Sequence, residues 1–293
     1  MGYGGPGNII LFSEIIPSFS FCAGKTHPIS FCTALHKTEY NVIQNNNFYI
    51  QLRLMSEAQV SANQSQTQLS PSQGVKYAVD LIVCIDGTGS MTPVIDLVKS
   101  SALSFYKDLE NRMQERQKNV DQIRAKVILF RDYWADKPEE VMVSSEFFDL
   151  REQSSEYADF VSLIHAKGGG DEPENGLEAL AIALNSEWEK GQNFAKQRHI
   201  VVFYTDASAH SLEKEPKPSH YPNDIPKNFD ELTDLWSEMS DSAKRLLLFA
   251  PDATPWTMIA SSWEQTIHYP SKAGEGLREL ENEEIIAAII NSI

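Results

Sequence analysis

From Lys76 onward, short apolar runs alternate with stretches of helical periodicity, and no other feature restricts the chain's fold as much. Residues 78–85 are apolar apart from Asp80, and 125–130, 199–205 and 245–250 are similar, so each reads as a buried strand. Residues 141–148 have charged flanks and read as an edge strand, and 266–269 as a short last one. Between them, Thr92-Pro93 looks like a cap and first-turn proline opening a helix to about Gln117, with Val94, Leu97, Val98, Leu103 and Leu109 on its apolar face. Further helices are expected over 155–166, 176–188, 229–239, 255–263 and 276–293, the last with Leu277, Leu280, Ile285, Ile286 and Ile289 facing inward. Strands apolar throughout, alternating with helices, imply an α/β fold: a doubly wound, mostly parallel central sheet with helices on both faces. Such sheets bind ligands at the carboxyl ends of their strands, near the point where strand order reverses.

The segment before this pattern differs in kind. Residues 1–54 are irregular, with Gly, Pro and Asn clusters, and read as an irregular or disordered extension. Residues 55–75 are Ser/Gln-rich and read as a linker, which leaves 76–293 as the domain; one expectation is that Met55 is the natural start. Asp and Glu (41) outnumber Lys and Arg (25), a formal charge of −16 that repels phosphate backbones and argues against nucleic acid. Three cysteines, Cys22, Cys32 and Cys84, do not make a disulfide framework and suit a reducing compartment. No apolar run is long enough to span a membrane, and Pro6 stands where a myristoylation signal wants Ser or Thr. The expectation is a cytoplasmic protein without membrane contact.

Three polar clusters fall at strand ends. Asp86-Gly87-Thr88-Gly89-Ser90 follows the first strand and offers a carboxylate and two hydroxyls at alternate positions of a glycine-relaxed loop. Gly168-Gly169-Gly170-Asp171-Glu172-Pro173-Glu174 precedes a helix, and Thr205-Asp206 closes the strand 199–205. These are hard oxygen ligands, suited to Mg²⁺, Mn²⁺ or Ca²⁺ rather than zinc.

The three motifs in this order, over roughly 76–293, resemble the von Willebrand factor A (VWA) domain and its metal-ion-dependent adhesion site, a Rossmann-like fold. The resemblance implies that Asp86, Thr88 and Ser90 form the first metal loop, with Thr88 in place of the commoner serine, and that Asp206 serves the third. The second loop departs from the commonest pattern, in which a threonine is the ligand. Its Asp171-Glu172-Pro173-Glu174 is similar to the turn of integrin β-type domains, where the glutamate reaches the metal. That makes Glu174 the first candidate and Asp171 the second. The family function it implies is Mg²⁺-dependent capture of a protein partner through a carboxylate, without turnover, here as an adaptor or assembly factor.

Other readings stand beside this one. The Asp86 loop also reads as a strand-to-helix turn, with Ser90 or Thr92 as cap; Glu174 as a first-turn carboxylate; Asp206 as a strand-end acid. A phosphatase of the haloacid dehalogenase type needs an aspartate nucleophile two residues before Asp86, where Cys84 stands. A metal-free scaffold is a further alternative. Gly24-Lys25-Thr26 lacks the upstream glycine of a phosphate loop, and Cys22, His27, Cys32 and His36 match no common zinc spacing. Arg131-Asp132-Tyr133 follows the second strand and reads first as an exposed edge turn, with Asp132 as a helper near the site as the alternative; His199 reads as core, and His210 as a residue near the site able to touch a partner. Trp188, Trp236, Trp256 and Trp263 read as packing, and the Pro-rich polar loop 208–228 as a shaper of partner choice.

Overall fold

Tyr77–Asp86 forms β1, and all ten of its residues are buried. The computed structural model describes residues 76–115, 120–170, 172–272, 277 and 282–293. All belong to the second of two units, Ser72–Ile293, into which the chain divides. Cys22, Cys32, His27, His36, the Gly24-Lys25-Thr26 segment and Asp171 lie outside the described residues.

β1 pairs in parallel with β2 (Gln122–Phe130) on one side and β5 (Lys196–Tyr204) on the other. Beyond β5 come β6 (Lys244–Pro251) and β7 (Thr266–Ser271), both parallel. At the opposite edge, β3 (Met142–Ser144) and β4 (Phe148–Asp149) run antiparallel to β2. The edge strand expected over 141–148 is therefore two short pieces, and Val141 instead ends a short helix, α2 (Pro138–Val141). The order β3-β2-β1-β5-β6-β7 reverses direction between β1 and β5. The ends of those two strands carry Asp86 and Thr205-Asp206.

Side-chain alternation along β1 explains why its apolar run is continuous. Val79, Leu81, Val83 and Ile85 face one core, with α1 (Ile95–Glu115), α3 (Ser154–Ser162) and α7 (Asn282–Asn291). Ile82 and Cys84 face the other, with α4 (Gly176–Leu184), α5 (Phe229–Glu238) and α6 (Trp256–Ser262). A strand covered on both faces has no solvent side on which to place polar residues. Asp80, the one break in the run, is fully buried and takes two hydrogen bonds from the Arg124 guanidinium, at 2.9 and 2.7 Å, and one from the Glu189 amide at 2.6 Å.

The helix after β1 starts later than its sequence suggests. Gly89–Met91 is a 3-10 turn, Thr92 is already helical, and its hydroxyl donates backwards to the Gly89 carbonyl at 2.7 Å rather than capping forwards. Leu103, expected inside, is 43% exposed. The buried stripe is Ile95, Val98, Ala102, Phe105, Leu109 and Met113, and Leu103 lies one step around the helix from it. Ile285 and Ile289 of α7 are buried as expected. The four tryptophans are buried packing residues, but Trp188 lies past the end of α4 and Trp263 is the C-cap of α6. Among the described residues, no helix is long and apolar enough to cross a membrane.

Candidate metal site at the switch point

Asp86 ends β1 with its carboxylate fully buried and fully engaged. Oδ1 accepts from the Thr88 amide (2.9 Å) and the Thr88 hydroxyl (2.6 Å), and Oδ2 accepts from the Thr205 hydroxyl (2.7 Å). The chain of contacts continues outward. Thr88 Oγ1 lies 3.2 Å from Ser90 Oγ, and Ser90 Oγ donates to Asp206 Oδ1 at 2.8 Å. Two strand ends 120 residues apart are thus joined through two hydroxyls and two carboxylates (Asp86 to Asp206).

The second loop reaches the same place. The Glu174 amide donates to the Ser208 carbonyl (3.0 Å), and the His210 amide donates to the Glu174 carbonyl (2.8 Å), so the backbones of the second and third loops are stitched together. The Glu174 side chain is 5% exposed, and its Oε2 has no hydrogen-bond partner among the described residues. Gly169, at φ +77°, sits between this carboxyl and Thr88: a Cβ there would lie 3.0 Å from both Glu174 Oε1 and Thr88 Cβ. Thr88, Ser90, Glu174, Asp206 and the three glycines 168–170 line a cavity of about 310 Å³.

Burial makes Asp86 and Glu174 resist ionisation. It pushes the Asp86 carboxyl up to about 6, against the hydrogen bonds from Thr205 and Thr88, and Asp206 adds repulsion. Glu174 is pushed up to about 9, first by burial and then by the charges of Asp86, Asp132, Asp136 and Asp206. An unpartnered buried carboxyl oxygen among acids is the arrangement a cation relieves. Among the described residues, no three His, Cys, Asp or Glu side chains gather as a metal-ligand group. A cation here would therefore depend on the hydroxyls of Thr88 and Ser90 as well as on carboxylates. The donor set is all hard oxygen and fits Mg²⁺, Mn²⁺ or Ca²⁺.

Several neighbours depart from expectation. Arg131, Asp132 and Tyr133 are not an exposed turn: they are 2%, 3% and 3% exposed. The first residues past β2 fold under the glycine turn, because the strand-end rule applies to β2 as it does to β1. His210 is not free for a partner. It is buried, its Nε2 lies 3.5 Å from Asp132 Oδ1 and 2.8 Å from Lys214 Nζ, and its ring packs edge-on against Trp134. The loop 208–228 is also less polar in place than in sequence, since Leu212, Tyr221 and Ile225 are buried in the core beside α4. The Tyr221 hydroxyl donates to Glu178 at 2.8 Å, and Trp134 Nε1 donates to the Pro216 carbonyl at 2.9 Å. Replacing this loop by a flexible linker would remove core as well as surface. His199 is core, with Nε2 2.8 Å from the Glu189 carbonyl.

Thr205 is the site residue that sequence pattern left without a role. Thr205→Val keeps the shape and removes the donor to Asp86 Oδ2. It is expected to cost about 1–3 kcal/mol, because a buried acceptor loses its partner. Urea denaturation with an unchanged midpoint would show that Asp86 does not depend on this hydroxyl.

No protein-family model matches the chain. Over 162 residues it is 26% identical to the alpha-protein kinase vwkA of Dictyostelium discoideum, a stretch covering 54% of this chain and 24% of that protein. The chain thus spans about a quarter of that curated relative's length. Two crystal structures of the pilus adhesin SpaC from Lactobacillus rhamnosus GG are 12% identical to it. One covers 74% of this chain and 31% of the adhesin at a TM-score of 0.46. The other, an open conformation, covers 73% and 30% at 0.43. The fold class rests on the sheet itself: a mixed α/β domain with a mostly parallel seven-stranded sheet.

Proposed function

We propose that this is a VWA-type binding domain in which Asp86, Thr88, Ser90, Asp206 and Glu174 hold a divalent cation, Mg²⁺ first, and present it to a carboxylate of a protein partner. The observation that carries the reading is the convergence on one cavity of the loops after β1 and β5 and of the glycine turn, which joins α3 to α4 rather than following a strand as its sequence suggested, with an unpartnered, buried Glu174 oxygen lining it. When bound, Mg²⁺ supplies a fixed positive charge that takes about six oxygens and gives up its waters reluctantly. The chain's own part is orientation. Thr205 and Thr88 fix both oxygens of Asp86, Ser90 links that loop to Asp206, and the backbone bridge at Glu174 holds the second loop against the third. A cation held by these residues would supply the charge that attracts an incoming Glu or Asp carboxylate.

A phosphatase of the haloacid dehalogenase type would need an aspartate nucleophile where Cys84 stands, and Cys84 is fully buried in the core beside α4. The kinase relative is a second matter. The chain matches about a quarter of that protein, and this reading assigns the matched part to binding rather than to phosphoryl transfer. ATP-dependent phosphorylation by the isolated chain would overturn it.

Mg²⁺ at about a hundred times its dissociation constant is expected to stabilise the domain by about 2.7 kcal/mol, or roughly 5–10 °C in thermal midpoint, reversed by EDTA. A midpoint that stays flat across a wide range of Mg²⁺, Mn²⁺ and Ca²⁺ would instead leave a metal-free scaffold. Partner capture in a pull-down should be lost with EDTA.

A further inference from the structure

Arg131 is the first residue past β2 and is 2% exposed, yet no role for it follows from the ligand set just described. Its hydrogen bonds go to four backbone carbonyls. Nε donates to Gly87 (2.9 Å) and Lys167 (2.8 Å), Nη2 to His165 (2.9 Å), and Nη1 to Glu140. Gly87 belongs to the first loop, and 165–167 lead directly into the glycine turn of the second. The Arg131 backbone adds two more ties: its amide donates to the Val141 carbonyl (2.8 Å), and its carbonyl accepts from the Asn175 amide (3.2 Å), next to Glu174. Around it the loops bond directly, Lys167 amide to Gly87 carbonyl (2.8 Å) and Gly89 amide to Gly168 carbonyl (3.1 Å). Gly87 is packed so closely that a Cβ there would lie 2.7 Å from Leu129 Cδ1 and 3.0 Å from Arg131 Nη2.

We propose that Arg131 is the positioning residue of the metal site: its guanidinium clamps the Asp86 loop to the glycine turn and so sets Thr88 and Ser90 against Glu174. The proposal rests on the metal reading above for its affinity consequences, though not for the clamp itself. A planar fork with five donors can serve several carbonyls at once; a lysine ammonium, with three donors at one point, cannot span them. The sign of the effect separates positioning from simple charge. A fixed positive charge beside a cation site repels the cation, so a purely electrostatic Arg131 would weaken Mg²⁺ binding, and removing it would tighten binding. A clamp does the reverse.

The test uses Arg131→Lys and Arg131→Gln with two readouts. The first needs no metal. In the metal-free protein, hydrogen exchange of segments containing the Gly89 and Lys167 amides is expected to speed up at least about tenfold in both variants, while β1 stays protected. Unchanged exchange at those two positions, or loss spread evenly through β1, overturns the clamp. The second is Mg²⁺ affinity by calorimetry, expected to fall about 10–100-fold, the usual effect of losing a support behind a metal ligand, with Lys milder than Gln. Equal or tighter binding in Arg131→Gln overturns positioning in favour of charge. If Gln does not fold, Lys carries both measurements, since it keeps the buried charge. If the wild type binds no Mg²⁺, the metal reading fails, and the exchange result alone still decides whether Arg131 is the clamp.

Discussion

Trp256→Ala is expected to destabilise the domain by about 3–5 kcal/mol, the range for removing a fully buried large aromatic side chain. Trp256 opens α6, is fully buried, and packs at a tilt against Phe203 with ring centroids 4.9 Å apart. Gly176, the first residue of α4, approaches it so closely that a Cβ there would lie 2.7 Å from the indole Cη2. The indole also carries a polar contact, since Nε1 donates to the Ala207 carbonyl at 2.9 Å. Ala207 follows Asp206, so one side chain fills the core under α4 and holds the third loop. Trp256→Phe separates the two contributions. It keeps much of the volume and drops the hydrogen bond, and should cost about 1–3 kcal/mol. Denaturant unfolding of both variants checks this. A loss under about 1 kcal/mol for Trp256→Ala would mean that α4 and α6 collapse into the vacated space.

How far the sequence revealed this arrangement differs from residue to residue. The run 78–85 announces a strand covered on both faces, because periodicity needs only neighbours in sequence. The strand-end rule then puts Asp86 and Asp206 together without any side-chain detail. Asp80 shows where such reasoning stops. Its partner Arg124 is 44 residues away and meets it only through the β1–β2 register. The same holds for Arg131-Asp132-Tyr133: its place just past a strand suggested an exposed edge turn, but carbonyls from several segments converge on the guanidinium, and no local pattern encodes that. The loop 208–228 misled in the opposite way, because its prolines signal a turn-rich path while Leu212, Tyr221 and Ile225 fill core. Glu174 was legible as a candidate. What distinguishes it, a buried oxygen left without a partner, belongs to three dimensions only.

On the metal site proposed above, that oxygen is expected to make Mg²⁺ binding depend steeply on pH. In the metal-free fold Glu174 is pushed up to about 9 by burial and by the neighbouring acids, so near pH 7 it is protonated. A ligating carboxylate must be ionised, so cation binding expels this proton. Affinity is therefore expected to rise about tenfold per pH unit up to about 9 and then to level off. Asp86, pushed up to about 6, adds a second proton to displace only below that value. The metal-free fold shows the matching trend. Because the folded value exceeds the ordinary one of 4.5, the native state holds a proton that the unfolded chain releases. Its contribution to stability is full below the ordinary value and is lost as pH rises towards 9. Mg²⁺ should thus stabilise most where the metal-free fold is weakest. Calorimetry near pH 7 in buffers of different ionisation enthalpy should count about one proton released per cation bound. Glu174→Gln should bind more weakly and lose this pH dependence between 7 and 9. Wild-type binding with no proton release, matched by an unaffected Glu174→Gln, would remove Glu174 from the ligand set and leave the second loop to Asp171.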